Sequence, residues 1–454
     1  MAAATTPETV ELTDHDRAML AGDCGEAAAV AMRILITMAG VYGAERLLDI
    51  EGAHIDGCLY HGDSGVDFAE LLIAGGARVR VPTTLNVGGL DLLHPEEFAG
   101  TAERRAKALR LMECYEEMGC RTIWTCAPYQ TTPRPAFGQQ VAWAESNAIV
   151  FANSVLGART HRYGDFIDIC AAITGRAPAV GLHLEESRRG QVVFDLRSLP
   201  HALGSASWLL PAIGYLVGER CGNRVPVLLG LAAADEDGLK ALGAAAASSG
   251  AVALFHAVGI TPEAPTLEAA LGGKDAEEWI EIGVSDLRAG LRSLSTVPAA
   301  PGPEAGRENG SPPARSRRRR RSASDAISID VVALGSPHFS PREFAELLPL
   351  VERHPPSAGV EFVVCTNRLS LVHLEQSGGL ERLRALGVRV VVDTCVVVAP
   401  ILRTPAGGVL MTNSGKFAHY APGNVGFDVV FGSLAECVRS AHRGRLWRDP
   451  ELWP

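Results

Sequence analysis

Thirteen residues, Ala53 to Gly65, place two histidines, two aspartates, a cysteine and a tyrosine among three glycines. So many ionisable types in so short a run can hold a ligand and move protons, while glycine lets the backbone approach a ligand closely. A capped turn with internal hydrogen bonds is the plainer alternative, and the density of ionisable groups favours chemistry. A second run, Val81 to Val87, offers Thr83, Thr84 and Asn86, three small polar side chains able to orient a carboxylate. Cys126 and Cys395 each follow an apolar run directly, in WTCAPY and VDTC. A lone cysteine is usually a small buried hydrophobe. Soft thiolates are also what iron–sulfur chemistry requires. A catalytic cluster leaves one iron without a protein ligand, so three cysteines are the expected number, with Cys58 or Cys365 as the third. The remaining cysteines, at 24, 114, 120, 170, 221 and 437, sit in helix-like or irregular surroundings and read as structural.

Other chemistries leave no trace. There is no G-x-x-x-x-G-K-[ST] phosphate loop, no H-E-x-x-H, no C-x-x-C and no G-x-S-x-G elbow.

The elements that must carry these residues read as α/β. In the C-terminal part, Ile327–Leu334, Gly359–Cys365, Val388–Val392 and Val429–Phe431 are β-rich runs. Pro341–Glu352, Leu380–Leu386 and Ala435–His442 alternate with them as helices. That order predicts parallel sheets flanked by helices, with ligands at the carboxyl ends of the strands. Arg78–Val81, Thr122–Thr125 and Val227–Gly230 are the strands expected in the N-terminal part, and no internal repeat is evident.

At 454 residues, 47% hydrophobic and 21% charged, the chain should form more than one globular domain. Thr296 to Asp325 is rich in Pro, Gly, Ser and Arg and has little to bury, so it reads as a disordered linker. It separates residues 12–295 from a C-terminal α/β domain at 326–452. Its run Arg317–Arg321 is expected to be a solvated, self-repelling stretch. A net charge of −10 argues against nucleic acid as a partner. The N-terminus lacks the pattern of a secretory signal, and Ala27–Gly40 is too short to span a bilayer. No membrane partner is expected, and ten scattered cysteines suit a cytoplasmic, reducing compartment.

Taken together, the segments resemble the aconitase X family. The likeness rests on AHIDG (53–57), GDSG (62–65), VPTTLN (81–86), TCAPY (125–129), ESN (145–147), NSVLGART (153–160) and GLHL (181–184). It continues through FH (255–256), GITPEA (259–264), GSPHFS (335–340), DTC (393–395) and MTNSGK (411–416). Nearly the whole chain is covered apart from the first dozen residues and the linker. The resemblance implies an aconitase-like fold with its cleft between domains, and a hydro-lyase acting on a small β-hydroxy acid. The substrate it implies is cis-3-hydroxy-L-proline, dehydrated to Δ1-pyrroline-2-carboxylate, with the large subunit of phosphomevalonate dehydratase as the alternative. A non-catalytic iron-sensing, RNA-binding protein is disfavoured by the acidic charge.

The resemblance further implies iron, as a [2Fe–2S] or [4Fe–4S] cluster or a mononuclear ion. Ser336 stands where members of the phosphomevalonate type tend to carry Cys, which turns the metal set (Cys126, Cys395, Cys58, Cys365, Ser336) away from a standard [4Fe–4S] site. His54, Asp56 and His61 are implied to position or protonate the departing hydroxide. Thr83, Thr84, Asn86, Asn153, Ser154 and Arg159 would bind the carboxylate, with Asn413, Ser414 and Lys416 closing the cleft. Ser414 would be the base, or Lys416 a substrate anchor. The family's small swivelling domain has no counterpart here, which implies a separate small subunit.

Overall fold

The computed structural model describes residues 10–131, 134–200, 203, 206–232, 234–297, 327–450 and 452. Most of the expected linker, including Arg317–Arg321, lies outside them.

Residues 12–295 hold two sheet cores. In the first, the central strand Ala53–Ile55 pairs in parallel with Thr83–Leu85 and Ala142–Trp143. All three strands end at the same edge, so Asp56, Asn86 and Glu145 emerge side by side. Helices Glu26–Tyr42, Asp63–Ala74, Ala102–Glu117 and Ile167–Thr174 cover this sheet, and Ala31, Leu35, Leu72, Leu111 and Ile169 fill its core. The second core is a four-stranded parallel sheet ordered His256–Ala257, Pro226–Leu229, Val192–Asp195, Glu278–Glu281. Its helices Leu210–Cys221 and Glu236–Ser249 pack so closely that a Cβ on Gly214 would lie 2.1 Å from the Leu242 carbonyl oxygen.

The C-terminal domain is a five-stranded parallel sheet ordered Val388–Val391, Glu361–Thr366, Val331–Phe339, Val409–Thr412, Asp428–Phe431. Buried on both faces, these strands are near-continuous apolar runs, as parallel strands should be. Ser340 and Ser433 open the helices Pro341–Arg353 and Leu434–Arg443 with capping boxes to Glu343 and Glu436. Helix Gly415–Asn424 leans on Glu236–Ser249 of the second core and so locks the two domains together.

Two expected strands are corrected. Residues 78–81 are irregular, and the strand starts after Pro82, at Thr83, where backbone donors are available again. Residues 122–125 form no strand beyond the bridge Thr84↔Arg121 and a Thr125 N–H contact to the Leu85 carbonyl, because Trp124 takes a left-handed φ of 41° and interrupts the ladder. Among the described residues, no single helix is long and apolar enough to cross a membrane.

Candidate active site

Three described non-glycine residues have positive φ: Trp124, Phe166 and Asp393. Two of them stand two residues before Cys126 and Cys395. Such backbone is costly for a side-chain-bearing residue and persists where the surroundings over-determine it. Asp393 is held by a two-pronged Arg368 contact, 2.7 Å on each carboxylate oxygen, and by the Leu92 amide at 3.2 Å. Cys126 follows the first turn and meets the His338 N–H of the C-terminal domain, while Cys395 follows the second and packs with Cys365 in the C-terminal-domain core.

Cys365 completes the group from strand Glu361–Thr366. All three thiols are buried. Burial pushes each thiol up, Cys395 and Cys365 to about 12, and neighbouring thiols add to it: Cys395 acts on Cys126, Cys365 on Cys395, and Cys126 on Cys365. Each sulfur also meets one backbone N–H that favours the thiolate. His338 N–H lies 3.4 Å from Cys126 Sγ, Val397 serves Cys395 and Val396 serves Cys365. The donor chemistry therefore fits a soft metal. Among the described residues, however, no three His, Cys, Asp or Glu side chains already close into a metal-holding group. Gly335 makes room for this corner: its φ is 90°, and a Cβ there would lie 2.0 Å from the Cys365 carbonyl oxygen.

Beside the thiols runs a chain of polar contacts from one domain to the other. Lys416 Nζ lies 2.5 Å from Glu145 Oε1, both buried. Glu145 also accepts from the Asn147 amide N–H (3.1 Å), Asn147 Nδ2 (2.8 Å) and Asn86 Nδ2 (3.1 Å). Asn86 Nδ2 in turn donates to Asp56. Burial alone would raise the Glu145 carboxyl, but the Lys416 ammonium and the Asn147 donors hold it at about 2. Asp56 has no cation; burial, then the charges of Glu145 and Asp165, push it well above the ordinary value. Two carboxyls linked by one amide are thus driven apart, Glu145 towards the ionised form and Asp56 towards the protonated one, the arrangement that separates acid from base roles.

His54 is fully buried and held neutral, at about 4, by burial. Its Nδ1 meets Thr84 Oγ1 at 2.9 Å. His54 Nε2, Asn86 Oδ1 and Thr394 Oγ1 are buried without a hydrogen-bond partner. Buried polar atoms are rarely left so, and these stand in the segments that carry the thiols and carboxyls.

Several expected residues lie elsewhere. His61 is solvent-exposed. Cys58 lies in the first-domain core, its S–H nearest the Ile55 carbonyl at 3.4 Å with those of Asn86 and Val87 a little farther off. Thr83 Oγ1 bonds the Val81 carbonyl at 2.8 Å. Asn153 is consumed by Thr160, Ala253 and Arg188, and Ser154 by the Phe255 amide, so both staple loops. Arg159 pairs with Glu185. Ser414 caps helix Gly415–Asn424 through the Phe417 amide and donates to the Ser336 carbonyl, so both functions of its hydroxyl are engaged in this structure. Ser336 is buried and touches this site through its backbone. Asn413 lines both a cavity of about 310 Å³ between the second and C-terminal domains and a smaller one of about 40 Å³ beside Ser414.

Glu145, Asn147 and His338 carry much of the geometry, and no spacing rule singled them out. They fall within ESN and GSPHFS, two of the segments that bear the family resemblance.

An α/β enzyme with its site assembled at a domain junction is the class these features define. The chain belongs to the aconitase X family: the first-domain model matches residues 9–186, the second-domain model 190–292 and the third-domain model 329–443. It is 43% identical to a cis-3-hydroxy-L-proline dehydratase of Pseudomonas aeruginosa, over 97% of this chain and 72% of that protein. The phosphomevalonate dehydratase large subunit of Methanothermobacter thermautotrophicus is 34% identical, over 95% of this chain and 98% of that one. The crystal structure of Thermococcus kodakaraensis aconitase X in its holo-form superposes with a TM-score of 0.80 at 32% identity, covering 95% of this chain and 100% of that one.

Proposed function

We propose that the chain is the larger part of a dehydratase converting cis-3-hydroxy-L-proline to Δ1-pyrroline-2-carboxylate. What carries this reading is the higher identity to two hydroxyproline dehydratases, 43% and 40%, than to the phosphomevalonate enzymes. Charge at the junction agrees with it. Buried Lys416 faces Glu145, buried Lys240 faces Asp237 and Glu343, and half-exposed Arg368 faces Asp393, so each cation is already paired and the net positive charge is lower than a phosphate group would call for.

Dehydration removes a proton beside the carboxylate and a hydroxide, as water, from the neighbouring carbon; the enamine then tautomerises to the cyclic imine. Lys416, kept charged by Glu145, anchors the substrate carboxylate with its remaining N–H donors. Asp56, kept protonated, gives its proton to the departing hydroxide, and Asn86 holds it in place. His54 Nε2, Asn86 Oδ1 and Thr394 Oγ1 take the substrate's polar groups. Iron, as a cluster or a single ion, would be held by Cys126, Cys365 and Cys395 and would supply Lewis-acid polarisation of the hydroxyl.

With Ser414 committed and His61 remote, the base is assigned to a small partner domain. Two features support it: the hydroxyproline dehydratases extend beyond the matched 72% and 69% of their length, and the archaeal relatives are named as large subunits. Ten free thiols agree with a cytoplasmic setting.

The test is an anaerobic assay of the chain with and without a small swivelling-domain subunit, against both hydroxy acids. Turnover of cis-3-hydroxy-L-proline only with the partner supports the reading. Full turnover by the chain alone returns the base to this chain, and turnover of 5-phosphomevalonate alone rejects the substrate. Asp56→Asn should lower kcat ~10²–10⁴-fold, as loss of a general acid does.

A further inference from the structure

We infer that His338 is a positioning residue that sets the spacing of the Cys126 and Cys395 thiols, an inference resting on the thiol site proposed above. Its imidazole is fully buried and uses both ring nitrogens across segments distant in sequence. Nε2 lies 3.0 Å from the Thr394 carbonyl oxygen, which can only accept, so Nε2 carries the hydrogen. Nδ1 lies 3.0 Å from Thr125 Oγ1. That hydroxyl oxygen already accepts the Ala127 amide at 3.1 Å, so its own hydrogen is directed to Nδ1. One neutral tautomer satisfies both bonds at once.

The two residues that the ring joins, Thr125 and Thr394, directly precede Cys126 and Cys395. The His338 backbone acts on the same corner: its N–H approaches Cys126 Sγ at 3.4 Å, and its carbonyl accepts Lys240 Nζ at 3.3 Å. Lys240 is itself fixed by Glu343 at 2.5 Å and Asp237 at 2.9 Å. A rigid ring, anchored behind by a second-domain lysine, thus bridges the first-domain thiol turn and the C-terminal one. The backbones of the two turns could not separate at Thr125 and Thr394 without breaking a ring bond. His338 touches no reacting atom in this arrangement; it acts through the two thiols.

The test titrates the whole chain anaerobically with Cd²⁺, following thiolate-to-metal absorbance, and then repeats the spectrum after iron loading. His338→Phe, which keeps a flat ring and loses both bonds, should weaken Cd²⁺ binding ~10–100-fold, the usual cost of losing a group that orients a metal ligand. Its iron-loaded absorption spectrum should also change. Thr125→Val, losing one ring bond, should fall between it and the parent chain, and His338→Gln, retaining a donor for the Thr394 carbonyl, should recover part of the affinity. Should His338→Phe fail to fold, Thr125→Val carries the test. Parent-like affinity and spectrum in folded His338→Phe and Thr125→Val overturn the inference while leaving the thiol site standing. Cd²⁺ binding that survives Cys126→Ser and Cys395→Ser, or is absent from the parent chain, overturns the thiol site and this inference with it.

Discussion

Lys416, in the first turn of a C-terminal-domain helix, reaches 2.5 Å to Glu145 at the end of a first-domain strand, and both are buried. The pair joins the first and C-terminal domains, and its charges act on Cys126, Cys395 and His338 beside it. Removing one partner of a buried pair leaves the other uncompensated, at a cost of about 3–5 kcal/mol. Glu145→Gln should therefore destabilise the chain by that order in chemical denaturation. Glu145 titrates at about 2 in the folded state against an ordinary 4.5. Its stabilisation is complete above pH 4.5 and lost as pH falls towards 2; the Gln variant should lack that part of the acid transition.

Buried histidines act over a different range. Burial holds His54 and His338 at about 4 and His183 at about 3, against an ordinary 6.5. Between those values the unfolded chain binds protons that the folded chain refuses. Stability should be full above pH 6.5 and fall as pH drops from there towards 4. Melting temperature measured across this range should show the decline, with a shallower slope in His54→Asn.

Serine substitution should sort the cysteines. Cys126→Ser, Cys365→Ser and Cys395→Ser should each remove iron from anaerobically loaded protein, because serine is a poor soft-metal ligand. Cys58→Ser should retain it, since that thiol faces backbone carbonyls inside the first-domain core. Iron content by chelator colorimetry checks all four; stoichiometric iron in both Cys126→Ser and Cys395→Ser would reject the thiol site.

Gly335→Ala tests the tight corner behind Cys365. A left-handed φ and a Cβ at 2.0 Å from a backbone oxygen combine strain with overpacking, so the loss should be about 2–5 kcal/mol. Urea denaturation measures it. Gly387→Ala, where φ is 84° but no atom lies within 4 Å, should lose less, isolating the steric part.

Much of this protein is legible in its sequence. Apolar runs alternating with capped helices specify parallel sheets because each run must bury both faces, and the boundaries at Pro341 and Glu361 fall close to where pattern and capping place them. Cys126, Cys395, His54, Asp56 and Asn86 stand out as candidates by residue type at or near expected strand ends, and Lys416 by the MTNSGK resemblance. Local pattern misled where a tertiary constraint prevailed: Trp124 leaves the sheet at φ 41° despite strand-like neighbours, and Asn153 and Ser154, polar like ligand groups, are spent on loop backbones.

What the sequence by itself determined is the family, the layering and the kinds of group available. Which of those groups share a site was decided only by tertiary structure, because a side chain's role depends on which hydrogen-bond partners packing leaves it. Ser414 and Arg159 are engaged by nearby partners, Glu145 and His338 meet partners fifty or more positions away, and Lys416 lowers Glu145 while burial without a cation raises Asp56.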